Sequence, residues 1–160
     1  MAATTPFPPN FMKRLILSAL AAGALLAAPA AHLLASQLGA KVTALAIMKA
    51  LADSGWTIRD GSIDELGQGE SKVYPVTLYY GNTYKIVAAG DEDAADVDIG
   101  VYYGPEGKFL IKDDDNSNVA VVTVTPGYTD QFYIKVVMAK TKTGGTAHFV
   151  MQYASKTKSK

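Results

Sequence analysis

Cysteine is absent from this chain of 160 residues. Its absence removes disulfides, thiolate metal sites, a thiol nucleophile and a lipidated cysteine at once. Histidine is scarce, with only His32 and His148. A Ser–His–Asp relay needs an imidazole inside the folded domain, and His148 lies in a T-A-H-F run that reads as one face of a strand. Charge of one sign is not in excess, since 15 basic residues balance 15 acidic ones. That balance gives no reason to expect a nucleic acid or an anionic surface as partner. Phosphate-cradling glycine loops are missing too: Gly104-Pro105-Glu106-Gly107 and Gly144-Gly145 fall where hairpin turns are expected, not between a strand and a helix.

Present at the start is a secretory pattern. Met12-Lys13-Arg14 precedes an apolar run of 14 residues, Leu15 to Ala28, which ends in Ala28-Pro29-Ala30. A short basic region, an apolar run and an A-x-A-like site are the parts of a signal peptide. Residues 1–35 are therefore expected to be an N-terminal extension and leader, with synthesis starting at Met12 and the mature protein periplasmic or extracellular. Carried on to Ala35, the same run approaches the roughly 20 residues that span a bilayer, so an uncleaved anchor stays open as the one route to a membrane. Pro29 and His32 interrupt the run and favour cleavage. Loss of Lys13 and Arg14 leaves 13 basic residues against 15 acidic.

Residues 36–58 predict one helix and its exit, with Ser36 as N-cap and Gly55 as C-cap. Ala44, Ile47, Met48 and Leu51 share an arc expected to pack on a sheet, while Leu38, Val42 and Leu45 share a second arc with Lys49, expected to be partly covered. Trp56 reads as a packing anchor. Residues 59–72, RDGSIDELGQGESK, are polar and glycine-bearing and read as a linker loop. From residue 73 to 154 the sequence alternates, with strands expected at 73–80, 83–89, 97–103, 108–112, 119–125, 131–138 and 146–153, separated by glycine and proline turns. The fold class that follows is mainly β: an antiparallel β-sandwich of about seven or eight strands, jelly-roll or Ig-like, preceded by one α-helix. Residues 155–160 read as a disordered tail.

The acidic residues cluster. Asp91, Glu92, Asp93, Asp96 and Asp98 precede or open one strand, and Asp113, Asp114 and Asp115 follow the next. Asp96 and Asp98 are two apart, so on a strand they share a face opposite Val97, Ile99 and Val101. Two acidic bends joined by a hairpin can meet, and Ca2+ takes six to eight oxygen ligands at about 2.3–2.6 Å. The metal candidates are Asp91, Asp93, Asp96, Asp98, Asp113 and Asp115, with Ca2+ as the ion. A solubilising acidic edge is the alternative, and both stay open. The nine tyrosines, among them the pairs Tyr79-Tyr80 and Tyr102-Tyr103, must place some rings on an outer face, where they suit a glycan or protein ligand; that tyrosine is simply a good strand residue is the alternative, and both stay open.

Taken in order, Gly81-Asn-Thr-Tyr-Lys-Ile, the Asp96-Val-Asp98 pair, the glycine hairpin, the acidic turn and the late strand Phe132-Tyr-Ile-Lys-Val-Val resemble the bacterial pre-peptidase C-terminal domain family. The resemblance spans Val73 to Tyr153, about half the chain. It implies a small β-sandwich of secreted proteins, without catalysis of its own, that serves as an accessory or binding module and in some members binds calcium. The Ala-rich helix and the missing peptidase domain depart from the family's usual architecture. The reading is thus an exported, non-catalytic binding or accessory module; a structural subunit of a cell-surface or periplasmic assembly and an aspartate-based hydrolase are the alternatives.

Overall fold

The computed structural model describes residues 37–104 and 107–158, so the leader expected at residues 1–35 lies outside the described residues. Helix α1 covers residues 37–53. It stops because Gly55 turns at φ 80°, a conformation that glycine adopts without a Cβ clash, while the Trp56 N–H donates to the Leu51 carbonyl at 3.0 Å. Eight strands follow: β1 (Thr57–Gly67), β2 (Ser71–Leu78), β3 (Asn82–Gly90), β4 (Ala94–Tyr103), β5 (Lys108–Asp113), β6 (Val119–Val124), β7 (Asp130–Thr141) and β8 (Thr146–Thr157).

They form two four-stranded antiparallel sheets, in the orders β1-β8-β3-β6 and β2-β7-β4-β5. First pairs with last, second with seventh, third with sixth and fourth with fifth, as in a long ribbon rolled up on itself; the β8–β3 and β7–β4 ladders close the roll. This is a jelly-roll sandwich. Its core lies between the sheets, where Tyr84, Ile86 and Ala88 of β3 and Phe149 and Met151 of β8 meet Val97, Ile99 and Val101 of β4 and Phe132, Ile134 and Val136 of β7. Each such large side chain contributes about 1.5–3 kcal/mol by leaving water. Alternation of apolar with polar positions put these residues on one face of each strand.

Two sequence expectations fail here. Residues 59–72 are not a linker, because β1 takes up residues 57–67 and β2 begins at Ser71. The strand was hidden because its half-buried positions 62 and 64 are Ser and Asp, so no apolar alternation shows. Residues 155–157 are not a disordered tail either; Ser155, Lys156 and Thr157 pair with Tyr84, Thr83 and Asn82. Ser155 is buried and its hydroxyl accepts a hydrogen bond from Arg59 Nε at 2.8 Å, which satisfies a polar group that composition alone assigns to solvent.

Helix α1 lies on the outer face of the first sheet. Ala40 and Ala44 are buried against Ala89 of β3 and Val150 of β8, and Met48 one turn further on is also buried. Small residues on both partners let the backbones approach closely. Of the arc predicted to pack on the sheet, Ala44 and Met48 are buried and Ile47 and Leu51 are half-buried. The second arc is not covered: Leu38, Val42 and Leu45 are 60%, 59% and 69% exposed.

The four sheet edges are each obstructed. A register shift interrupts β1 between Ile58 and Gly61, Pro75 in β2 has no N–H to offer, β5 is short and bulged, and on β6 the Val121 N–H is already taken by Asp113 Oδ2 at 2.7 Å. Such features discourage a further strand from adding to an open edge.

Candidate functional site: an acidic end and a tyrosine-walled cleft

The β3–β4 turn and the β5–β6 loop lie at the same end of the sandwich. Gly90 N–H donates to the Asn118 carbonyl at 2.7 Å, and Val97 N–H to the Ser117 carbonyl at 2.8 Å. The acidic bends meet through their backbones. Of their carboxylates, those of Asp96, Asp113 and Asp114 lie close enough to Asp98 to repel it, while that of Asp91 is engaged elsewhere. Asp91, 2% exposed, turns inward: its Oδ1 accepts the N–H groups of Asp93 and Ala94 at 2.9 and 3.0 Å, and its Oδ2 accepts the N–H of His148 at 2.9 Å. It thus ties the turn to β8. Asp93 contributes its carbonyl to Lys142 N–H at 2.9 Å.

Asp96 and Asp98 are half-buried on the face opposite Val97, Ile99 and Val101, all three of which are buried. Asp96 Oδ1 is shielded from solvent and has no hydrogen-bond partner among the described residues. Burial pushes the Asp98 carboxyl above its ordinary value, and repulsion from Asp96, Asp114 and Asp113 adds to it, with Lys112 opposing. Asp113 caps β6 through Val121, Asp114 is ion-paired with Lys112, and Asp115 presents its backbone N–H to Asp113 at 3.5 Å. The six predicted ligands are therefore divided between a buried anchor, Asp91, and a ledge on which Asp93, Asp96, Asp98 and Asp113 are half-buried and Asp115 is exposed. Among the described residues no three His, Cys, Asp or Glu side chains gather as a group able to hold a metal ion.

His148 is buried on β8 between two carboxylates, with Nδ1 3.5 Å from Asp91 Oδ2 and Nε2 3.6 Å from Glu65 Oε2 of the neighbouring β1. It lies on a strand face, as the alternation predicted.

A different part of the molecule has the shape of a binding site. Where the edge of β1 faces the edge of β2 across the two sheets, a cleft of about 420 Å³ opens, walled by Tyr74, Tyr79 and Tyr153 and edged by Asp60, Ser62 and Thr77. Clefts of roughly 300–1,000 Å³ with aromatic walls and a few placed polar groups are the usual form of small-ligand sites. Several contacts fix its walls. Tyr74 donates its hydroxyl to Asp64 Oδ2 at 2.6 Å, and Ser62 donates to the same oxygen at 2.7 Å while Lys72 pairs with Asp64 Oδ1. Burial alone would raise the Asp64 carboxyl, but these three hydrogen bonds outweigh it and hold the group below its ordinary value. Burial and then the Asp64 carboxylate push the Tyr74 phenol up. The Tyr153 ring stands 6.4 Å from that of Tyr84, whose hydroxyl accepts the Tyr79 N–H at 2.9 Å. Burial raises the Tyr153 phenol, followed by the nearby Asp60 carboxylate.

Gly61 allows this shape. A Cβ there would stand 2.7 Å from the Met151 carbonyl oxygen, so only glycine lets the interrupted stretch of β1 lie against β8. Sequence reasoning missed the cleft because it rests on β1, read as a loop, and on tyrosines from two segments far apart in the chain, Tyr74 and Tyr79 in one and Tyr153 in the other. A second groove, about 610 Å³, runs between α1 and β1 past Lys41, Leu45, Arg59 and Ile63.

The strand order and the cleft define an antiparallel β-sandwich domain with a lateral aromatic depression. No family model matches the chain, and no curated protein matches it. Among solved structures it is similar to Aeromonas hydrophila PliG, a periplasmic lysozyme inhibitor of g-type lysozyme, at 11% identity and TM-score 0.47, covering 64% of this chain and 90% of that one. It is also similar to the pre-peptidase C-terminal domain of collagenase from Bacillus anthracis, at 11% identity and TM-score 0.48, over 61% of this chain and 90% of the other. A third is the CBM36-1 domain of a multidomain xylanase from the hindgut metagenome of Trinervitermes trinervoides, at 14% identity and TM-score 0.32, over 67% and 94% of the two chains. Similarity this low transfers no function, and the fold assignment stands on the strand topology.

Proposed function

We propose that the chain is an exported, non-catalytic binding or accessory module whose ligand site is the cleft between β1 and β2. The observation that carries the reading is the cleft itself, in which Tyr74, Tyr79 and Tyr153 wall a depression next to a single carboxylate, Asp60. Hydrolysis by an aspartate pair needs two carboxyl groups flanking the bond, and Asp60 is the one acid among the described residues that line this cleft. Asp91 and His148 are engaged in holding the β3–β4 turn on β8, which leaves them a structural task. Export rests on the Met12 to Ala30 pattern, and among the described residues no helix is long and apolar enough to cross a membrane. A fragment screen followed by backbone NMR tests the cleft: shifts concentrated at Asp60, Thr77 and Tyr79 support it, and shifts scattered over the surface or confined to α1 overturn it.

Calcium belongs to this proposal only as an ion drawn to the ledge of Asp96, Asp98, Asp113 and Asp114, whose mutual repulsion a cation would relieve. Thermal unfolding in millimolar Ca2+ against chelator decides it. A rise in Tm that Asp98→Asn abolishes supports the ion, and equal Tm values remove it.

A second reading, a subunit of a surface assembly, is favoured by the exposed Leu38, Val42 and Leu45 of α1. Light scattering over a concentration series separates it from the first, because an assembly subunit does not stay monomeric.

A further inference from the structure

We infer that the cleft between β1 and β2 binds a neutral oligosaccharide, with pyranose faces on the tyrosine rings and sugar hydroxyls on Asp60, Ser62 and Thr77. The inference rests on the binding reading above and adds the class of ligand. Three rings, Tyr74 of β2, Tyr79 beyond its end and Tyr153 of β8, border one depression. A tyrosine offers an apolar face and a polar tip, which is what a sugar ring requires: one side of C–H groups, and a rim of hydroxyls that both donate and accept. The polar side chains that line the cleft beside the rings are a carboxylate acceptor and two hydroxyls, small groups suited to a ligand that is itself mostly hydroxyl.

Charge narrows the class. Lysine and arginine are absent from the described residues that line the cleft, and Asp60 contributes a negative charge. An acidic sugar would meet the Asp60 charge in the lining itself, while the nearest cations, Lys72 over the Tyr74 ring and Arg59, are already engaged with Asp64 and Ser155.

Backbone chemistry argues against a peptide in the same place. An extended peptide binds by adding to a strand edge, and the edges here are the interrupted stretch of β1 before Gly61 and the segment of β2 that contains Pro75. Neither presents an unbroken row of N–H and C=O groups. The walls are also set in advance, Tyr74 by its hydrogen bond to Asp64, and Tyr79 by the bond its backbone makes to Tyr84. Little ordering is left to oppose binding of a weak, hydroxyl-rich ligand.

The test uses three probes, cellohexaose, the hexamer of N-acetylglucosamine and hexagalacturonate, in titration calorimetry and saturation-transfer NMR on the domain and its variants. At least one neutral hexasaccharide is expected to bind with transfer to the rings of Tyr79 and Tyr153; Tyr79→Ala and Asp60→Ala should each weaken it about tenfold or more. Tyr79 is 56% exposed, so its truncation should leave Tm unchanged, and Tyr128→Ala on the β6–β7 loop should leave affinity unchanged. The inference is overturned if neither neutral probe binds at about 10 mM, if hexagalacturonate binds more tightly, or if binding survives both cleft substitutions. Fragments that occupy the cleft while both neutral sugars fail would sink the saccharide and spare the binding reading; a cleft that takes neither loses both.

Discussion

Asp91 in the β3–β4 turn and Asp98 on β4 are the same kind of residue, and their surroundings give them opposite effects on stability. Asp91 lies buried with three backbone N–H groups on its two oxygens. Removing it strands those donors in a place water reaches poorly, so Asp91→Ala is expected to cost about 3 kcal/mol or more in urea unfolding, while Asp93→Ala, which removes none of these bonds, should cost under about 1 kcal/mol. Asp98 is instead held among like charges, and its carboxyl is raised by burial and by Asp96, Asp114 and Asp113. A raised folded-state value means that ionised Asp98 opposes folding; the penalty is complete above that value and vanishes as the pH falls below the ordinary 3.8. Asp98→Asn should therefore raise Tm at about pH 7 and leave it unchanged at about pH 3, read by calorimetry at both. Asp64 runs the other way. Its lowered carboxyl stabilises the fold above the ordinary 3.8, and that share is lost as acid carries the pH down through the folded value.

Among the elements, α1 shows how a short contact can be demanding on one side and permissive on the other. Ala40 and Ala44 meet the sheet with almost no exposure, whereas Leu45, the next residue along, is mostly in solvent. Ala44→Leu is expected to push the helix outward at a cost of about 1–3 kcal/mol, and Leu45→Gln to stay within about 0.5 kcal/mol, both by chemical denaturation. Elements of this kind were partly legible in the sequence. The seven strands from Val73 onward could be read because their inward positions are apolar and alternate with polar ones. β1 could not, since Ser62 and Asp64 occupy positions usually held by apolar side chains, and what makes them acceptable there, Lys72 and Tyr74, lies on the next strand. Ser155 is the same case, its hydroxyl answered by Arg59 across a ladder that pattern reading does not supply. The acidic bends were rightly placed at one end, but a sequence records no side-chain partners, and Asp91 spends its oxygens on the N–H groups of Asp93, Ala94 and His148. The cleft escaped for both reasons, being made of an unread strand and of tyrosines far apart along the chain.

At the scale of the molecule, the rolled ribbon makes nearly every strand pairing distant in sequence. Only β4 and β5 are both consecutive and paired; the remaining ladders join segments separated by other strands. Loop closure must come before those contacts can repay it, so refolding from urea is expected in the millisecond-to-second range or slower, and not in the microseconds of a helical bundle, as stopped-flow fluorescence of Trp56 would record. One pairing has a further consequence. Because β1 pairs, among the described strands, with β8 alone, the domain has a seam that is sewn last, and a growing polypeptide carries an unclosed flank until Thr146 to Thr157 arrive. A nascent chain halted before that point would keep β1 without a mate and β3 with one side bare, a state that chaperones must shelter and proteases can reach.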